Sequence, residues 1–173
     1  MRAIMLFLVF GLFADVYGAG LDDLVNALNT TRAIWLYNRS YDVTVKGGNQ
    51  ICVRWQLENL TRSSYDFQNS FKVNKTYYEE NRTHATLFEK GEDTMMNVSY
   101  QSGKPTTYTL KLWNSTEKCF LLTIHEETGT GTCDCELHLW QEKLREVPTS
   151  CNTMYQNICK AQEHEVFSEH ECM

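Results

Sequence analysis

From Ile51 onward the apolar positions recur every second residue. Ile51, Val53, Trp55 and Leu57 alternate with Cys52, Arg54, Gln56 and Glu58. Thr106, Tyr108, Leu110 and Leu112 alternate with Thr107, Thr109 and Lys111. A period of two marks half-buried strands. Further strands are predicted at Ile34–Tyr41, Tyr65–Phe71, Arg82–Glu89, Thr94–Tyr100, Cys119–Ile124 and Cys135–Trp140. Turn signals separate several of them: Lys46-Gly47-Gly48-Asn49, Lys90-Gly91-Glu92-Asp93, Ser102-Gly103-Lys104-Pro105 and Thr128-Gly129-Thr130-Gly131. Two segments break the period. Asp22 to Asn29 reads as a short helix with Leu21, Leu24, Val25 and Leu28 on one face. Ser150 to about Gln162 reads as a second helix, with Thr149 or Ser150 as its cap just after Pro148. Eight short strands at near-regular spacing predict an all-β, closed antiparallel barrel between a short N-terminal helix and a C-terminal helix. An eight-stranded up-and-down barrel has room inside for one small ligand. The competing arrangement is a β-sandwich without a cavity, and the late clustering of cysteines disfavours an immunoglobulin type.

The N-terminus sets the compartment. Arg2 precedes an apolar run from Ala3 to Phe13, and Val16-Tyr17-Gly18 closes it with small residues. Residues 1–18 therefore read as a secretory signal peptide, cut after Gly18, with a single domain over 19–173. The run is too short for a membrane anchor. Seven cysteines, Cys52, Cys119, Cys133, Cys135, Cys151, Cys159 and Cys172, suit a secreted disulfide framework whose connectivity the sequence leaves open. Seven is odd, so one thiol stays unpaired or bonds a second chain. N-glycosylation sequons stand at Asn29, Asn38, Asn59, Asn74, Asn81, Asn97 and Asn114. The net charge of −6, without a basic cluster, argues against a nucleic-acid partner.

Catalysis and metal binding find no support. His84, His125, His138, His164 and His170 show no HExxH or comparable ligand spacing, and Cys133-Asp134-Cys135 lacks zinc-site spacing. There is no G-x-S-x-G element, P-loop or G-x-G-x-x-G. The acidic tail Gln162–Glu171 is expected to be solvated. The reading is therefore of a binding protein without metal or cofactor.

The order of signal peptide, Trp35 to Tyr41 strand, Cys52, Trp113 to Cys119, Cys135-Glu136-Leu137, Cys151, Tyr155, Cys159 and Cys172 resembles the tick salivary lipocalins, including the histamine-binding proteins. The resemblance covers nearly the whole mature chain, and the cysteine spacing is its specific part. It implies a lipocalin barrel with one closed end that sequesters a host mediator, an amine or a lipid. It also implies the pairings Cys52–Cys172 and Cys119–Cys151. A third family pairing fits Cys135–Cys159, which leaves Cys133 as the odd thiol, consistent with a monomer or a disulfide-linked dimer.

The sequons orient the strands, because a glycan must face water. With Asn38 outside, Trp35, Tyr37, Arg39 and Tyr41 are expected inside. With Asn97 outside, Met96, Val98 and Tyr100 are expected inside. Trp35, Arg39, Tyr41 and Tyr100, with Tyr108 on the apolar face of its strand, are candidate ligand contacts, and the family resemblance adds Glu136. A cationic amine needs a carboxylate and favours an aromatic face. The amine-binding pattern of the family resembles this chain at Cys119, Glu136, Leu137 and Cys151. It departs where Phe120 stands in place of Asp, where His138 replaces Trp or Tyr, and where Leu110 replaces an acid. These exchanges make the cavity more apolar, and Arg39 could hold the carboxylate of a leukotriene or other fatty acid. The leading expectation is a secreted scavenger of a histamine-type amine. The alternatives are a leukotriene or fatty-acid scavenger, and a lipocalin that blocks a host plasma protein.

Overall fold

The computed structural model describes residues 19–101, 103–124, 133–159 and 163–173. The signal peptide predicted at 1–18 and the turn signal at 128–131 lie outside the described residues, as do His125, Ser102 and the end of the second predicted helix.

Helix α1 (Leu21–Leu28) opens the described chain. Eight antiparallel strands follow: β1 (Ile34–Arg39), β2 (Ile51–Leu60), β3 (Ser64–Val73), β4 (Thr76–Lys90), β5 (Asp93–Ser99), β6 (Thr106–Asn114), β7 (Cys119–Ile124) and β8 (Asp134–Trp140). Each pairs with the next, and β8 returns to β1 through Ile34↔Trp140, Trp35↔Leu139 and Arg39↔Glu136. Closure into a barrel removes both sheet edges. Between β1 and β2 a small hairpin, Thr44–Val45 against Gly48–Asn49, turns on Lys46 and Gly47. Both have positive φ, 51° and 76°, as a tight two-residue hairpin turn requires.

α1 closes one end of the barrel. Its N-terminus is tied where the Gly20 N–H donates to Asp23 Oδ2 at 3.0 Å. Its buried face, Leu24, Ala27 and Leu28, meets Ile34, Tyr65, Phe67, Leu87, Met96, Val98, Leu110, Phe120 and Leu122 from the strands. Trp140 Nε1–H donates to the Ala27 carbonyl at 2.8 Å and fixes the helix to β8. This core fills the lower half of the barrel.

A second core lies outside the barrel wall, under helix α2 (Thr149–Ile158) and the C-terminal segment. Disulfides Cys119–Cys151 and Cys135–Cys159 fasten α2 to β7 and β8, and Cys52–Cys172 fastens the chain end to β2. Cys133 takes part in none of the three. Neither Thr149 nor Ser150 caps α2. The cap comes from the β6–β7 turn, where the Glu117 carboxylate accepts from the N–H groups of Ser150 and Cys151 and from Ser150 Oγ at 3.0–3.3 Å. A carboxylate there satisfies open N–H groups and suits the positive helix end.

The tail departs from the solvated expectation. Strand β9 (His164–Glu165) pairs with the end of β1, and Val166 and Phe167 are buried. The segment fits where β1 and β2 diverge: Cys52 N–H donates to the Val166 carbonyl at 2.8 Å, and Val166 N–H donates to the Tyr37 carbonyl at 3.0 Å. Helix α3 (Glu169–Cys172) then delivers Cys172 to its disulfide.

Candidate ligand-binding site

The barrel end away from α1 contains a cavity of about 400 Å3, within the size range of small-molecule sites. Trp55 and Tyr108, which belong to the core beneath, form its floor. Leu36, Val53 and Phe71 line its walls, Val43 and Val45 of the small hairpin lie over one side, and exposed Gly103 and Lys104 stand at the rim. The charged residues on the lining are Arg39, Glu80, Lys104, Asp134 and Glu136.

Glu136 is buried and held by three donors. Tyr41 OH donates to Oε1, Tyr108 OH reaches the same oxygen at 3.4 Å, and His138 Nε2 lies 2.9 Å from Oε2. A carboxylate only accepts, so Nε2 carries the imidazole proton. Tyr100 OH lies 3.0 Å from Tyr108 OH, extending the chain of hydroxyls. His138 is locked in place between Phe120, stacked with ring centroids 4.9 Å apart, and Trp55 at 4.4 Å. Four lone-pair sites on a carboxylate against three protein donors leave capacity for a ligand donor.

Arg39 is the direct cross-strand partner of Glu136, yet its hydrogen bonds run elsewhere: Nη1 to Gln50 Oε1 at 3.1 Å and Nη2 to the Gln50 carbonyl at 2.7 Å. Its Nε is buried with no hydrogen-bond partner among the described residues, and the guanidinium lies 5.6 Å from the Tyr41 ring centroid. Burial lowers the Arg39 pKa from its ordinary value. Across the barrel on β4, Glu80 accepts from Asn69 Nδ2 at 3.0 Å.

The structure thus brings Tyr41, Tyr100, Tyr108, Arg39 and Glu136 to one cavity, and it places Trp35 elsewhere. Trp35 and Tyr37 lie outside the barrel wall, packed on Phe167 with ring centroids 5.1 and 6.2 Å away. A bulge causes the difference. The β1–β8 register shifts between Leu36 and Asn38, so Tyr37 is an extra residue and the in–out alternation slips by one. Arg39 is inside because it follows the bulge, and Trp35 is outside because it precedes it. Asn38 does lie on the outer side, but it does not face water. The tail covers it, and its amide donates to Glu163 Oε1. Asn29, Asn59, Asn74, Asn81 and Asn97 are exposed and Asn114 is half-buried. Phe120 and Leu110, the two apolar exchanges at acidic family positions, sit in the core below the cavity rather than on its wall.

Glu80 escaped the sequence reading because the strand was begun at Arg82. The signal was present: with the Asn81 sequon outside, period two turns Glu80 inward. Trp55 lies on the apolar face that the alternation marks, and the structure puts it on the cavity floor.

The family model described as tick histamine binding protein matches residues 19–173. The chain belongs to this family. No curated protein matches it. Among solved structures it is similar to Japanin from Rhipicephalus appendiculatus bound to cholesterol. The TM-score is 0.60 and the identity 15%, over 83% of this chain and 97% of that one. It is also similar to apocrustacyanin C2, with TM-score 0.53 and 8% identity over 88% and 89% of the two chains. These likenesses show the lipocalin fold. Fold and family together make the protein a small-ligand-binding lipocalin. No helix among the described residues is long and apolar enough to cross a membrane.

The site predicts its own alkaline behaviour. Burial, reinforced by the charge of Glu136, pushes the phenols of Tyr41, Tyr100 and Tyr108 well above their ordinary pKa, and burial alone does the same for Tyr65. Unfolded phenols ionise near about pH 10. Above that pH the unfolded state has lost protons that the folded state keeps, so stability falls as pH rises. In an alkaline titration, the phenolate absorbance of these residues is expected to appear together with loss of the β-sheet circular dichroism. Full phenolate absorbance before any loss of structure would contradict the burial of the cluster.

Proposed function

We propose that the protein is a secreted, glycosylated tick salivary lipocalin that sequesters a small host amine of the histamine type in its barrel cavity. The observation that carries this reading is Glu136: a buried carboxylate on the cavity lining, preset by Tyr41, Tyr108 and His138, beside the rings of Trp55 and Tyr108. An ammonium leaving water needs such a charge-assisted partner. Aromatic faces nearby add roughly 0.5–2 kcal/mol of cation–π attraction. The family name points the same way.

A second reading rests on Arg39, a guanidinium on the cavity lining, and on the apolar residues Leu36, Val43, Val45, Val53 and Phe71 that line it too. These suit the carboxylate and chain of a leukotriene or another fatty acid. Japanin, bound to cholesterol, is an example of this fold holding an apolar ligand.

Calorimetric titration of the mature protein with histamine and, separately, with leukotriene tests both. The amine reading expects one histamine per protein. Histamine silence with leukotriene binding would transfer the protein to the lipid scavengers. Silence with both would turn the search to a host plasma protein as the partner.

A further inference from the structure

Arg39 and Glu136 face each other across the β1–β8 pair, so their Cβ atoms leave the wall about 5 Å apart. Both side chains are buried and both line the cavity. The pair could neutralise itself, yet its heads diverge. Glu136 turns to Tyr41, Tyr108 and His138, whereas Arg39 turns to Gln50. One stretch of wall therefore offers an anion with spare acceptor capacity beside a cation of five N–H donors, two of which Gln50 takes. A plain amine satisfies Glu136 and meets the unfavourable charge of Arg39. A plain fatty acid satisfies Arg39 and meets Glu136. A ligand with both charges close together complements both.

We propose that the cavity selects a small aromatic zwitterion, an aromatic α-amino acid or close derivative, with its ammonium on Glu136 and its carboxylate on Arg39. This rests on the reading of Glu136 as the ammonium acceptor. Two features favour a compact aromatic ligand. The cavity holds about 400 Å3, and the rings of Trp55, Phe71, Tyr100 and Tyr108 line it. The carboxylate completes the donor set of a guanidinium whose burial otherwise disfavours its charge. Three other acidic groups lie on or near the lining. Asp134 stands two residues before Glu136 on β8 and adds negative charge to that wall. Glu80 lies on β4, across the barrel, with Asn69 donating to it. Asp42 is joined to His164 outside, at 3.0 Å.

Histamine and L-histidine separate the ideas, because they share the ring and the ammonium and differ by one carboxylate. Calorimetry on the mature wild-type protein is expected to show histidine bound at least as tightly as histamine. In Arg39→Gln, histidine binding is expected to fall by about thirtyfold or more, the scale for removing one partner of a buried charge pair. Histamine binding to the same variant is expected to tighten, because a like charge has left. The opposite signs cannot arise from a misfolded variant, and the wild-type comparison needs no variant. Histamine bound with histidine rejected by the wild-type protein would overturn the zwitterion and leave the amine reading standing. Silence from both would overturn the amine reading and this inference with it.

Discussion

Glu136→Gln is expected to weaken histamine binding by about thirtyfold to several thousandfold, the range seen when one partner of a buried, hydrogen-bonded charge pair is removed. The substitution keeps the volume and one acceptor oxygen and deletes only the charge. Tyr41 and Tyr108 can still donate to the remaining oxygen. The loss therefore falls on the ligand's ammonium, which is left without its counter-ion on a wall that also carries Arg39. The melting temperature is expected to stay close to that of the parent, since Tyr41 and Tyr108 keep an acceptor and His138 can move its proton to Nδ1 and accept from the new amide. Calorimetry beside a thermal melt checks both. A large fall in melting temperature with unchanged histamine affinity would make Glu136 a structural residue rather than the ligand's counter-ion.

Removing the Cys52–Cys172 disulfide as the double variant Cys52→Ala/Cys172→Ala is expected to cost about 2–5 kcal/mol of stability. The bridge spans 120 residues of sequence. Loop-closure entropy for loops of this size is about 4 to 5 kcal/mol. For a domain of this length the melting temperature is expected to fall by roughly 5–20 °C. The local effect is more specific. The bridge holds the tail in the gap between β1 and β2, where Val166 bonds to Cys52 and Tyr37, and Phe167 packs on Trp35. Without the bridge the tail loses its anchor. Protease is expected to cut first within residues 163–173, before the barrel is degraded. Thermal melts and timed proteolysis with mass analysis check this, and cleavage at the barrel and tail together would contradict it. The double variant is used because a single one would leave a buried thiol behind.

The barrel was legible because its evidence is local. Strict alternation at Ile51–Leu57 and Thr106–Leu112 is the signature of a wall with one wet face, and those strands appear where the pattern put them. α1 was legible for the same reason, since its apolar face repeats at helical spacing. What the sequence withheld is non-local. The bulge at Tyr37 depends on how β1 meets β8, and no residue type announces it. That slip moved Trp35 and Tyr37 to the outer wall and left Arg39 inside. The cap of α2 comes from Glu117, in a different turn, so scanning residues next to the helix could not find it. Val166 and Phe167 are too few to form a periodic stretch, and only their dock between β1 and β2 explains them. Glu80 is the instructive miss. The rule that oriented Asn97 and Tyr100 would have turned it inward had β4 been carried back to Thr76.

The central claim is that one ammonium is held in the barrel cavity by Glu136. A crystal structure of the mature protein soaked with histamine tests it most directly. The account predicts a single histamine above Trp55, with its ammonium within hydrogen-bond distance of Glu136 and between the hydroxyls of Tyr41 and Tyr108. Histamine bound away from Glu136, or a cavity that stays without it at saturating concentration, would contradict the account.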